Sequence, residues 1–392
     1  MTTPGESSAA VRYVLINWLS FTTLLGALIV LLPLHLEALG LGVDAIAAVS
    51  AAAGVGGVIS ADVVGRLAVR FGAVRLVRGG IAILGLSVVG IGLTRSFIPF
   101  VLLHGVIGGA TSMVRVGSQM VVRNRVDNDR RGRVHARQGL TTRIGFLVVP
   151  VAAGVLWELL EPEWSFVALT VAAAAIALLA GSLAVALPAP VAPSPGSAVP
   201  WPRMLRYASG PILFVASRAG RMLLLPLIGL ELDLSPSRIG ALVGLSAAAD
   251  VLIAPASGPI MDGRGRLATI VPSFGLTAVG FVLLGIATDG WLLGIAAVVL
   301  GIGNGLSAGL LLTIGTDLAP AGAEGPFLGR FGAMSDAGRL IGPFVVGLLG
   351  EWFGLNSAAF ALAVTTIVGL ALIMLFVGET RPPGDTRPRI PA

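Results

Sequence analysis

The 392-residue chain has no cysteine, no lysine and only three histidines. The absence of cysteine excludes disulfides, thiolate nucleophiles and cysteine-ligated zinc, and three scattered histidines do not make a histidine-rich metal site. All 26 basic residues are arginine, which excludes Schiff-base chemistry. The sequence also has no Ser-His-Asp arrangement, metal-ligand spacing or phosphate-binding loop. We therefore predict that the protein is not an enzyme and needs no metal or other cofactor.

Charge is scarce: 12% of the residues are charged and 55% are hydrophobic, with a mean hydropathy of +0.94. A water-soluble domain with an ordinary polar surface could not have this composition, so the chain is predicted to be a polytopic membrane protein in contact with lipid. The net charge of +6 does not indicate a nucleic-acid partner. The arginines cluster in short stretches between apolar runs, where orientation in a bilayer requires them.

Twelve apolar runs are long enough to cross about 30 Å of hydrocarbon at about 1.5 Å per residue. The first begins near Val14, has no basic segment before it and no cleavage site after it, and is predicted to be a retained helix rather than a signal peptide. The predicted helices lie near 13–36, 45–68, 75–94, 97–121, 137–160, 164–187, 205–231, 237–260, 267–287, 290–317, 328–351 and 355–378.

The stretch "PAPVAPSPGSAVPWP", residues 188–202, contains six prolines, which prevent a continuous helix. It predicts a cytoplasmic linker between two six-helix bundles, 1–187 and 203–392. A constant shift of 193 residues superposes the two halves without gaps, which indicates duplication, a common origin of membrane carriers. Matched positions include Pro33 with Pro226, Gly72 with Gly265, Pro150 with Pro343, Gly154 with Gly347, and Glu158 with Glu351.

Arginine is also unevenly distributed between the two sides of the predicted membrane. Loops 66–78 and 123–137 hold ten arginines, whereas the loops on the other side hold only Arg95 and Arg238. This bias predicts that both termini are cytoplasmic. We expect a monomer in the inner (plasma) membrane of the cell.

Two loops carry a recognisable pattern: "GPIMDGRGRL", from Gly258 to Leu267, and "GRLAVRFGAVR", from Gly65 to Arg75. Both resemble G-x-x-x-D-R-x-G-R-R, the cytoplasmic signature of the major facilitator superfamily. The first copy has Val69 in place of the aspartate, so Asp62 is a possible substitute. The resemblance implies an inner gate formed by Asp62, Arg66, Arg70, Asp262, Gly265 and Arg266.

This resemblance also implies the fold: an all-α membrane protein with twelve transmembrane helices in two pseudo-symmetric six-helix bundles. It implies secondary transport by alternating access. In the fourth helix, "HGVIGGA", from His104 to Ala110, resembles the R-x-x-x-G pattern of the drug-efflux subgroup with histidine in place of arginine. Because imidazole titrates near neutral pH, His104 is a candidate for proton coupling. The alternative is a hydrogen bond to a neighbouring helix.

Charged residues inside the predicted helices need a reason, because each is costly to remove from water. The shift of 193 places Arg143 opposite Asp336, and the resemblance implies that their helices line a central cavity. We therefore expect an ion pair between them that protonation of Asp336 would break. The alternative is a static pair between Asp336 and Arg339, three residues apart. Asp250, near mid-membrane, would neutralise Arg218 or Arg221 or would itself take the proton.

Four arginines set against two aspartates leave two positive charges in excess, which suits an anionic or zwitterionic substrate. The predicted substrate-binding residues are Arg143, Arg218, Arg221 and Arg339. Our first functional hypothesis is proton-coupled efflux of small amphipathic molecules. The alternative is uptake or exchange of an organic anion, a carboxylate or a phosphorylated metabolite.

Overall fold

The computed structural model describes residues 4–126, 128–181, 200–320 and 324–380. Side chains are described throughout these ranges except at positions 4–7, 62, 69, 128–132, 181, 324–326 and 329. The described residues form α-helices and short connections, with no β-strand among them. Helices are expected here because a chain in lipid must pair its backbone N–H and C=O groups within each segment. The all-α fold is confirmed.

Among the described residues, the first half contains six helices: α1 Pro4–Ala38, α2 Val43–Phe71, α3 Ala73–Leu93, α4 Phe97–Arg125, α5 Asn128–Leu159 and α6 Pro162–Gly181. The second half contains eight: α7 Trp201–Glu231, α8 Pro236–Arg264, α9 Leu267–Gly285, α10 Gly290–Leu306, α11 Leu310–Leu318, α12 Glu324–Asp336, α13 Gly338–Phe353 and α14 Leu355–Phe376. The helix α7 begins inside the predicted linker, so Trp201 and Pro202 are helical rather than linker residues. Linker positions 188–199 lie outside the described residues.

The fourteen helices correspond to the twelve predicted crossings because the tenth and eleventh crossings are each divided. The break between α10 and α11 contains Gly309, whose φ of +78° favours glycine. The break between α12 and α13 is at Ala337. Eleven spans in the described part of the chain are long and apolar enough to cross a bilayer. The remaining crossing consists of α12 and α13, which have only 13 and 16 residues.

Each half has its own set of helix contacts. In the first half, α1 packs on α5 and α6, and α4 packs on α2 and α3. In the second half, α7 packs on α13 and α14, while α10 packs on α8 and α9. The division into bundles 1–187 and 203–392 remains a prediction, which this packing supports.

The two halves meet mainly along two contacts, α5 with α8 and α2 with α13, with a smaller contact of α1 with α7. Both main contacts lie on the side of the molecule away from the start of α1 and the end of α14, which we call the distal side, and together they form the distal seam. A side chain at Gly154 would collide with the carbonyl oxygen of Pro236, and one at Gly347 would collide with Ala47. Glycine at these two positions, which differ by 193, allows the helices to touch.

Two glutamates cross the distal seam one turn beyond these glycines. Glu158 Oε1 accepts a hydrogen bond from the backbone N–H of Ser237 at 2.9 Å, near the start of α8. Glu351 Oε2 is 3.5 Å from the backbone nitrogen of Asp44, near the start of α2. The N-terminus of a helix favours negative charge, so each carboxylate holds a helix of the opposite half. Both the glutamates and the residues they contact differ by 193 positions.

On the side of the chain termini, the proximal side, the seam opens. The face of α2 that contacts α13 includes Ala47 and Gly54, which lies against Leu340. One turn further along the same face, Val58 is 61% exposed. A side chain added at Gly65 would meet no atom within 4 Å. The structure is therefore closed on the distal side and open toward the proximal side.

Candidate substrate and proton sites

A cavity of about 230 Å³ lies between the halves at mid-depth. Asp250, which lines it, is equidistant from the two ends of α8, roughly 21 Å from each. The apolar part of the wall comes from both halves and consists of Ile29, Phe146, Met222, Leu225, Pro226 and Val243. The polar part consists of Thr142, Arg143, Arg218, Arg221, Ser246, Asp250 and Asn304. An apolar cavity with a few convergent polar groups is typical of a small-molecule site.

Arg143 and Asp250 form an ion pair across the two halves, with 3.1 Å between Nε and Oδ1. The other carboxylate oxygen accepts a hydrogen bond from Asn304 Nδ2 at 2.7 Å. Asp250 was expected to neutralise Arg218 or Arg221, but it forms no ion pair with either and acts on both charges only at longer range. The carboxylate is bonded to Arg143 because α5 and α8 touch directly at this depth.

Arg218 and Arg221 lie one turn apart on α7 and both face the cavity. Nη1 of Arg221 is 3.2 Å from the carbonyl oxygen of Leu300 and 3.4 Å from Ser246 Oγ. The guanidinium carbon of Arg218 is 5.7 Å from the ring centroid of Phe214. These direct contacts are neutral, and neither arginine forms an ion pair within the described residues; the Asp250 carboxylate acts on both charges only at longer range.

A second charged group surrounds Asp336, at the end of α12. Its Oδ2 accepts a hydrogen bond from Arg115 Nη1 of α4 at 2.8 Å, and its Oδ1 accepts one from Arg339 Nε at 3.1 Å. The predicted ion pair between Arg143 and Asp336 is wrong. The shift of 193 makes these two residues equivalent in position, but each contacts a different helix of the other half. An ion pair of Asp336 across the halves does exist, with Arg115.

Arg339 was expected among the substrate-binding residues; the structure does not bring it to the wall of this cavity, and its substrate-binding role remains a prediction. It is absent from the cavity wall, and its side chain, 49% exposed, turns toward the carboxylate three residues earlier. Both the static pair and the pair across the halves are therefore present at Asp336. The structure brings Arg143, Arg218, Arg221 and Asp250 together and places Asp336 with Arg339 elsewhere.

His104 is buried in α4, which packs on α2 within the first half. It does not line the cavity, and its Nδ1 has no hydrogen-bond partner among the described residues. The structure therefore does not bring His104 to either carboxylate. The role of His104 in proton coupling remains a prediction. The alternative was a hydrogen bond to a neighbouring helix, and within the described part of the chain Nδ1 does not form one.

The second copy of the loop signature forms a charged cluster on the proximal side. Arg266 contacts Asp262 Oδ1 and Asp317 Oδ2, each at 3.0 Å. Hydrogen bonding to Asp317 raises the pKa of the Arg266 guanidinium above its ordinary value, with Asp262 adding to the effect, so this group stays charged. Glu379, beyond α14, accepts hydrogen bonds from the backbone N–H groups of Arg266 and Leu267.

Gly265 permits the turn between α8 and α9, because its φ is +99° and a side chain there would collide with the Glu379 carboxylate. Arg66 and Arg70 of the first copy are exposed at the proximal end of α2, and the Arg70 guanidinium lies 5.3 Å from the ring centroid of Phe71. The Asp62 side chain lies outside the described residues. The gating role of all six signature residues remains a prediction.

Arg115 and Asn304 were missed at the sequence level. Arg115 lies well inside a predicted helix, and an ionisable residue within a membrane span is by itself a signal of function. Asn304 carries no charge and follows two glycines in an apolar run, so nothing in the pattern distinguishes it. Only the contact of α10 with α8 places its amide on Asp250.

Comparisons with known proteins agree with this architecture. A solved structure of the nucleoside transporter NupG aligns with a TM-score of 0.76 at 14% identity, covering 94% of this chain and 100% of that one. The human organic anion transporter MFSD10 aligns with a TM-score of 0.67 at 16% identity, covering 95% and 100%. At these identities the likeness shows the fold alone.

Curated relatives match over shorter stretches. The class H tetracycline resistance protein of Pasteurella multocida is 30% identical over 142 residues, which are 36% of this chain and 35% of that protein. The multidrug resistance protein MdtG of Proteus mirabilis is 30% identical over 132 residues, 34% and 33% of the two chains. The matched stretch spans about a third of the length of these relatives.

The family profile described as the Major Facilitator Superfamily matches residues 14–217 and 208–392, in agreement with the paired loop signature and the multi-pass helical fold. The chain belongs to the major facilitator superfamily.

Proposed function

We propose that the protein exports small amphipathic molecules in exchange for protons by alternating access. One observation carries the proposal: Asp250 and Asp336 are each ion-paired with an arginine of the other half, at the depth where the closed distal seam gives way to the open side. Relatives named for tetracycline and multidrug resistance support the direction of transport.

The two ion pairs favour the state in which the distal seam is closed, because each can form only when its two halves approach. A proton on either aspartate removes the attraction for the arginine. When the distal side closes, the ion pair between the aspartate and its arginine forms again, and the proton leaves toward the open proximal side. The carboxylate thus takes up a proton when the distal side is open and releases it when that side closes.

The bias of arginine toward the proximal loops supports placing that side, and both termini, in the cytoplasm. Proton entry then runs from outside to inside across the plasma membrane, while the substrate leaves. The partners are protons, a small-molecule substrate and the surrounding lipid, and we propose a monomer. Membership of the major facilitator superfamily indicates that the chain is a transporter rather than an enzyme.

Uptake or exchange of an organic anion, the alternative from the sequence, is not favoured. The reported curated relatives are named for drug resistance, and export is the direction of transport by which a membrane carrier confers resistance. The cavity arginines that suggested the alternative are equally compatible with export.

Everted membrane vesicles test the proposal. An acid-inside gradient, monitored with acridine orange, should be partly dissipated by a transported compound; the panel would include tetracycline and small aromatic acids. We expect at least one compound to release protons from vesicles that contain the protein and none from vesicles that lack it. Accumulation of compounds that is independent of the gradient would contradict the proposal.

A further inference from the structure

We propose that the cavity binds the anionic group of an amphipathic molecule, with Arg218 and Arg221 as its direct partners. The proposal rests on the export function proposed above and names the class of molecule that the same site takes. Arg143 and Asp250 form the adjoining wall.

The charges of the cavity wall do not balance. Its side chains include three guanidiniums and one carboxylate. Both oxygens of that carboxylate are occupied, one by Arg143 and the other by Asn304. An incoming cation would therefore have to displace Arg143 and would then face two further positive charges. The site disfavours cations for this reason.

Arg218 and Arg221 have unused capacity for an anion. A guanidinium carries five N–H donors in a planar fork. The acceptors near Arg221 are a backbone carbonyl and a hydroxyl, at 3.2 and 3.4 Å, and Arg218 faces an aromatic ring. Neither forms an ion pair with a carboxylate among the described residues. Two such charges at mid-membrane depth are costly unless an anion or water meets them.

The geometry suits one small anion with an apolar body. The two arginines are one turn apart on one helix face, so both forks can reach the same carboxylate, phosphate or sulfonate. The cavity wall also offers Phe146, Met222, Leu225 and Val243 to the rest of the molecule. A volume of about 230 Å³, in a cavity that is open toward the proximal side, accommodates a body of one or two rings.

Three probes with the same ring system separate charge from shape: 2-naphthoate, 2-naphthamide and 2-naphthylmethylamine. Binding to the purified full chain is measured by isothermal titration calorimetry at neutral pH in a low-chloride buffer. We expect naphthoate to bind about 10-fold or more tightly than naphthamide, and the amine not to compete.

Arg218→Gln and Arg221→Gln should each weaken naphthoate binding about 10-fold or more while changing naphthamide binding less than about twofold. Arg206→Gln, an exposed position of the same helix that does not line the cavity, is the matched control and should leave both affinities unchanged. If either glutamine variant does not fold, Arg218→Lys and Arg221→Lys replace them. Lysine keeps the positive charge but lacks the planar set of guanidinium donors. The lysine variants should therefore weaken naphthoate binding, to a smaller extent than the glutamine variants.

Equal binding of naphthoate and naphthamide would overturn the proposal, as would unchanged naphthoate affinity in the variants or a dissociation constant weaker than about 1 mM. The transport assay is independent of this test. Arginine-dependent naphthoate binding without gradient-driven transport would retain the anion site and refute the export function. Gradient-driven transport of tetracycline without a preference for naphthoate would retain the export function and refute the anion site.

Discussion

Arg115 and Asp336 join the two halves of the molecule through a hydrogen-bonded ion pair, with 2.8 Å between Nη1 and Oδ2. Asp336 lies one turn before Leu340, which contacts Gly54 of α2. In the other contact of the distal seam, between α5 and α8, Arg143 and Asp250 form the second such pair. Each of the two contacts thus has, toward the open side, an ion pair that separation of the halves would break.

The pair between Arg143 and Asp250 should contribute to stability as well as to transport. Asp250→Asn leaves the Arg143 charge unpaired and should lower the midpoint of thermal unfolding in detergent by at least about 3 °C, given a cost of about 3 kcal/mol for an uncompensated buried charge. The double variant Arg143→Gln with Asp250→Asn removes both charges and should recover at least half of the loss. Additive losses in the double variant would show that the two side chains do not interact.

Closure of the distal seam should depend on Gly154 and Gly347. Alanine at either position places a methyl group against Pro236 or Ala47, so the seam must separate and the proximal side must close. The natural chain has no cysteine, which makes Val58→Cys a single reporter of the open proximal side. We expect its reaction with a membrane-impermeant maleimide to slow about threefold or more in the Gly154→Ala background.

Gly275→Ala is the control for this experiment, because the added methyl group meets no atom within 4 Å. Labelling of Val58→Cys should be unchanged in that background. Equal labelling in the Gly154→Ala and Gly275→Ala backgrounds would mean that the glycine contact does not hold the seam.

Glu158 and Glu351 should hold the same seam from its outer edge. Their replacement by glutamine removes a negative charge from the N-termini of α8 and α2. We expect the double variant to expose the seam, so that Val151→Cys, a smaller side chain at a position that packs against Gly244 across the seam, reacts faster with maleimide. Unchanged labelling of Val151→Cys would show that the two glutamates do not contribute to closure.

The sequence predicted the helices well and the ion pairs poorly, for a physical reason. Long apolar runs and the shift of 193 predict which helices are equivalent, and Arg143 and Asp336 are indeed equivalent positions. They do not predict how each helix is rotated about its axis or how the halves tilt, and these determine which neighbour a charge meets. Arg143 consequently meets Asp250, and Asp336 meets Arg115.

The divided crossings follow the same pattern. Residues 290–317 were predicted as one helix, and the glycines at 305 and 309 did not indicate the break between α10 and α11. The break between α12 and α13 depends on tertiary contact: Gly338 lies directly against the backbone of α7 at Ile212 and Ala216. Such an approach is set by the packing of the whole bundle, so the local sequence alone does not specify it.

Asp336→Asn tests the central claim, that a carboxylate paired across the halves couples proton entry to export. The measurement compares two modes of transport in proteoliposomes, for the panel compound that the natural protein exports fastest. We predict that the variant loses about 90% or more of the flux driven by a pH gradient, because it binds no exchangeable proton at this position, while it retains exchange of labelled for unlabelled compound. Gradient-driven flux equal to that of the natural protein would contradict the account.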